Sequence, residues 1–177
     1  RDQAALWLVL GIAAITLIST VGRLVPAHPH GLLEVVSQRV DIELLVLFPY
    51  FLYRFAIAFN PPGRRIQLTV TALTTGLTVW TFVLPHVPAA GEHRSTWFLM
   101  YIFAFLAHWS LCSVVVTTRL WRAGRNEPSV ASNRMRMLAF AAAALTVAII
   151  GVAFTTDNDS AGALVTQTLG LIAIVAF

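Results

Sequence analysis

Trp97–Thr118, WFLMYIFAFLAHWSLCSVVVTT, runs for 22 residues without one Asp, Glu, Lys or Arg. At 1.5 Å per residue, a helix of that length covers the roughly 30 Å hydrocarbon core of a bilayer. Five more stretches come close to it: Ala4–Gly22, Val40–Phe59, Ile66–Leu84, Met137–Phe154 and Gly162–Phe177. Beyond its first turn, each carries at most one strongly charged residue. The expected fold class is all-α: a polytopic transmembrane helical bundle with six visible spans. Residues 1–177 form a single membrane domain in this reading.

Composition agrees with the apolar runs. The chain is 58% hydrophobic and 11% charged, with a mean hydropathy of +0.77, whereas a soluble domain typically has about 25% charged residues. Too little polar surface remains for a water-soluble monomer. The net charge of +4 is therefore topological, with Arg marking cytoplasmic loops, and no nucleic-acid partner is expected. All twelve basic residues are Arg, which together with abundant Ala, Val and Thr points to a GC-rich, actinobacterial type of genome. The single cysteine, Cys112, lies inside the fourth span, so it supports neither an internal disulfide nor a Cys-based metal framework. A start at Arg1 without Met, and a stop at Phe177 within an apolar run, read as a piece excised from a longer chain. The first span lacks the basic lead and small-residue cleavage site of a signal peptide.

The connections alternate in charge. Residues 60–65 (NPPGRR) break the helix with Pro61, Pro62 and Gly63 before two Arg, and 119–136 carries five Arg against one acid, Glu127. The stretch 155–161 has Asp157 and Asp159 and no base, 85–96 has one Arg and one Glu, and 23–39 mixes two Arg with His28, His30 and Glu34. The positive-inside rule places 60–65 and 119–136 in the cytoplasm and the other connections outside. The expected location is the bacterial cytoplasmic membrane, multi-pass, with the chain leaving Phe177 on the cytoplasmic side. Trp80 and Trp97 fall near the outer boundary and Trp121 near the inner one, as amphipathic indoles should. Pro49 removes a hydrogen bond inside the second span, and Leu32–Arg39 is expected to form a short interfacial helix.

Polar residues within the spans fall on helical faces. Glu43, Leu47, Tyr50 and Arg54 share one side of the second span, and Gln67, Thr71, Thr74, Thr78 and Thr81 form a hydroxyl stripe on the third. Tyr101, Phe105, His108 and Cys112 share a face of the fourth. Three such faces on neighbouring helices imply a common polar interior. Arg54 is either an anion contact or ionic latch, or a side chain that snorkels from near the cytoplasmic end to lipid phosphates. His108, near mid-span, is either a proton-sensitive or ligand-contacting group or a side chain that bonds a facing Thr or Tyr. The Thr stripe reads as helix–helix glue or as a substrate path. His28-Pro29-His30 with Glu34 does not define a closed zinc site, and a bis-His haem site needs a second intramembrane histidine. HExxH, GxSxG, CxxC and Walker motifs are missing, so no cofactor, metal or catalytic set is expected in this segment.

The run Leu47-Phe48-Pro49-Tyr50-Phe51-Leu52-Tyr53-Arg54-Phe55, followed by Ala58-Phe59 and Arg64-Arg65, resembles the multi-span N-terminal sensor regions of bacterial histidine kinases and related signalling proteins, the seven-transmembrane type in particular. The resemblance rests on one span and the overall layout, about a quarter of the chain, and six spans stand where that family has seven. It implies a sensory input domain that passes a stimulus to a cytoplasmic effector in a two-component system, with no ligand-site residues to transfer. Arg54, His108, Tyr50, Thr74 and Thr78 are the candidate sensing residues. The expected partners are the lipid bilayer, a small-molecule or lipid ligand, and a second copy joined through the attached effector. The alternative is part of a membrane transporter or permease, and a lipid-processing membrane enzyme ranks third.

Overall fold

The computed structural model describes residues 2–24, 31–85, 87–88, 95–125 and 129–154, and every regular element among them is a helix. The five are α1 (Asp2–Leu24), α2 (Leu32–Ile57), α3 (Arg64–Val83), α4 (Thr96–Ala123) and α5 (Ser129–Phe154). By length and apolarity, three helices suffice to cross a membrane: α1 over Gln3–Thr20, α3 and α4. The sixth expected span, Gly162–Phe177, lies outside the described residues, as do His28, His30, Asp157 and Asp159.

Local chemistry sets the ends of these helices. Gly31 precedes α2, and its N–H donates to the Glu34 carboxylate at 3.2 Å, one half of a capping box. Asn60-Pro61-Pro62-Gly63 separates α2 from α3, since two prolines cannot continue the ladder. Ser95 caps α4 by accepting the Phe98 N–H at 3.2 Å. The expected short helix at Leu32–Arg39 is instead the first part of α2, which runs unbroken for 26 residues. Nothing after Gly31 interrupts it, and a hydropathy window sees only the apolar remainder. Consequently Asp41 and Glu43 lie in the third and fourth turns of the helix rather than the first, and α2 carries more interior charge than its apolar stretch implied. The basic connection 119–136 is likewise mostly helical, because α4 reaches Ala123 and α5 begins at Ser129.

At the centre, α2, α3 and α4 pack against one another, with α1 against α2 and α5 against α4. A continuous core joins Ala14 of α1, Phe48, Leu52, Tyr53 and Ala56 of α2, Val70 of α3, Trp109, Cys112 and Leu120 of α4, and Ala139 and Ala142 of α5. Small residues bring the outer helices close. On α1, Ala4, Gly11 and Ala14 are buried, and a Cβ on Gly11 would sit 3.6 Å from Leu52 Cδ2. Between α4 and α5, Ser113 donates to the Ala142 carbonyl at 3.3 Å and Thr146 to Ser113 Oγ at 2.6 Å. Such small and hydroxylated contacts are the usual means of joining helices where lipid replaces water.

Candidate functional site

Arg119 Nη1 donates to Asn60 Oδ1 at 3.1 Å, so connections 60–65 and 119–136 meet at one end of the bundle. Arg64, Arg65, Arg122 and Arg125 are exposed near them, and Arg136 lies over the Trp121 ring at 5.4 Å. The opposite end gathers Arg39, Trp80, Thr81, Ser95 and Trp97, with the two indoles 5.0 Å apart. Each end therefore has its own chemistry, and the polar residues of α2 divide between them.

At the basic end, Arg54 stacks its guanidinium on Trp7 of α1, 4.8 Å from the ring centroid. That cation–π contact is the observed neighbour of a side chain expected either to hold an anion or to reach for headgroups. Tyr50 meets the same indole edge-on at 6.4 Å and stacks on Tyr53 at 6.1 Å. Tyr53 is buried with its hydroxyl unpartnered, and Arg54 Nε is also buried without an acceptor.

At the opposite end, Thr78 donates to Glu43 Oε1 at 2.6 Å, which leaves buried Oε2 without a partner. Thr81 bonds Tyr101 at 2.8 Å, linking α3 to α4. Arg39 closes the C-terminus of α3: Nη1 donates to the Thr81 and Phe82 carbonyls, each at 2.9 Å, and Nη2 to the Leu84 carbonyl at 2.6 Å. A cation there satisfies unbonded carbonyls and faces the negative end of the helix dipole. Arg39 is thus engaged in a structural contact, which explains an Arg in a connection assigned to the outer side.

His108 lies between the two ends and is fully buried. Its Nε2 is 3.3 Å from the Val46 carbonyl of α2, and the Cys112 sulfur is 3.7 Å from Nδ1. Among the described residues, neither a Thr nor a Tyr is its partner. Pro49 lacks the N–H that would bond the Leu45 carbonyl, so the helix ladder is broken one residue before the Val46 carbonyl that His108 meets.

These positions replace the expected common polar interior with three separate contacts. Phe48, Leu52, Val70 and Trp109 fill the space between them. Thr74 turns back to its own helix, bonding the Val70 carbonyl at 2.8 Å, and Thr71 is exposed, so the hydroxyl stripe reaches other helices only through Thr78 and Thr81. Of the five candidates, Tyr50 and Arg54 come together, Thr78 joins Glu43, His108 joins the Pro49 turn, and Thr74 stands apart. The sequence reading passed over Tyr53, Arg39, Arg119 and Trp7 as partners. Glu43 alone had a visible signal, as an acid within an apolar helix. A groove of about 240 Å³ between α2, α4 and α5 is lined by Pro49, Trp109, Ser113 and Thr146, and its enclosed part is about the size of one water.

Compared with known proteins, the chain matches no family model, no curated sequence and no solved structure.

Proposed function

We propose that this chain is the membrane-embedded input domain of a bacterial signalling protein, passing a stimulus through its helices to a cytoplasmic effector. The reading includes a six-span bundle in the cytoplasmic membrane, with connections 60–65 and 119–136 on the cytoplasmic face. One observation supports it above the others. Among the described residues, five buried side-chain atoms lack a hydrogen-bond partner, and four belong to α2: Asp41 Oδ1, Glu43 Oε2, Tyr53 OH and Arg54 Nε. Buried polar groups left without a partner are costly in the packing that leaves them so. A second packing, or a ligand, that satisfied those groups would be favoured by that difference, which is the requirement for a two-state switch. The helix that carries them is also the one that touches α1, α3 and α4, so a shift of α2 reaches all three.

The intact protein tests the proposal. Arg54→Ala or His108→Ala is expected to change the phosphorylation output of the attached module several-fold while membrane insertion stays the same. Unchanged output in both variants, or an intact protein without a signalling module, overturns it.

A further inference from the structure

Pro49, Leu52, Trp109, Ser113, Ala142 and Thr146 line the groove of about 240 Å³ where α2, α4 and α5 converge. Its two hydroxyls are already engaged: Thr146 donates to Ser113 Oγ at 2.6 Å and to the Ala142 carbonyl at 2.9 Å, and Ser113 donates to that carbonyl at 3.3 Å. The groove therefore offers shape rather than hydrogen bonds. Pockets that hold a small molecule usually measure about 300–1,000 Å³, and this one is smaller. Its size suits a few side chains of one apolar helix, set as knobs into a hole. On the other flank, α1 borders the groove through Leu52, whose Cδ2 would lie 3.6 Å from a Cβ on Gly11. Among the described residues α1 and α5 do not touch, so a floor made by α2 and α4 lies between them.

The chain carries a segment that matches this floor. Beyond α5, residues 155–161 (TTDNDSA) are rich in Asp, Asn and Ser, which favour turns. Gly162–Phe177 follows without a charged residue. On a helix, Gly162, Thr166 and Gly170, spaced four apart, share one face, and Ala173 continues it. Faces of small residues let helix backbones approach closely in lipid.

We propose that Gly162–Phe177 docks over this groove as the sixth helix, antiparallel to α5, with its small-residue face against Ser113 and Thr146. The short tether favours it over a second copy of the chain, because it holds the segment beside α5 at an effective concentration of about millimolar or more. Docking there rests on the six-span part of the proposed function and deepens it. The last span would lie on the Pro49 turn of α2, the helix that carries most of the unpartnered buried groups, so a shift of α2 would reach the exit of the domain directly.

The test uses the full chain in spheroplasts, in a Cys112→Ala background, with one cysteine from Thr146→Cys and a second moved through residues 163–175. Oxidative cross-linking should peak where the second cysteine replaces Thr166, Gly170 or Ala173, roughly fivefold above Leu164, Thr168, Leu171 and Val175 on the opposite face. The product should run as a monomer. Leu145→Cys, on the same wall of the groove, repeats the scan where Thr146→Cys fails to fold. A membrane-impermeant maleimide reports the span separately: Asn158→Cys should react from outside, and Ala176→Cys only after permeabilisation. A labelled span without cross-links leaves the groove to lipid, and cross-linked dimers assign it to a second copy. Either result, or cross-links spread evenly around the segment, overturns the docking and leaves the six-span reading standing. Labelling of Ala176→Cys without permeabilisation overturns both.

Discussion

Thr78 satisfies one oxygen of Glu43 and leaves the other buried and bare. In the interior of a helical bundle, such a carboxylate costs more with each partner removed, because water does not replace the lost bond. Thr78→Val should therefore lower stability by about 1–3 kcal/mol. The double variant Glu43→Leu/Thr78→Val should cost less than the sum of its two single changes, since it removes donor and acceptor together. Equilibrium unfolding in mixed micelles measures all three, and strict additivity would mean that the pair is not coupled. Single residues were only partly legible in the sequence. Arg54, Tyr50, His108 and Thr78 stood out as polar groups in apolar runs, but periodicity says which face a side chain takes and not which helix waits there. Glu43 and Arg54 share a nominal face of α2, yet one meets α3 and the other α1.

At the scale of the element, apolar length placed α1, α3 and α4 to within a few residues, and it missed the polar first two turns of both α2 and α5. Hydropathy measures the part of a helix that prefers lipid, so the eight residues from Leu32 to Arg39, with their charges, read as a separate piece. The function of Arg39 was not legible at all, because its acceptors lie 42 to 45 residues away. Removing it leaves three carbonyls at the end of α3 without their donor. Arg39→Ala should destabilise the bundle by about 1.5–3 kcal/mol and raise amide exchange selectively in the last turn of α3. Exchange that rises evenly along α3 would show that the guanidinium is not a local cap.

For the whole molecule, the outward faces matter as much as the core. Only 17% of the α1 span, 22% of α3 and 33% of α4 is buried inside the bundle, and the remaining apolar surface has lipid as its natural solvent. Among the described residues α1 touches α2 alone, across the buried Gly11 and Ala14. Gly11→Leu should push α1 away from Leu52 and leave the α2–α3–α4 centre folded. Cysteine cross-linking across α1–α2 should then be lost while α2–α4 cross-linking persists, and loss of both would show that α1 is part of the centre. The same map of neighbours bears on how the protein is made. Among the described residues, every packed pair joins helices consecutive in the chain except α2 with α4. A ribosome releasing the helices in order would let each settle beside the one before it. Among the described helices one late event would remain, the closing of α4 onto α2, in which the His108 imidazole arrives at the Val46 carbonyl, next to the one that Pro49 has left open since the second helix was born.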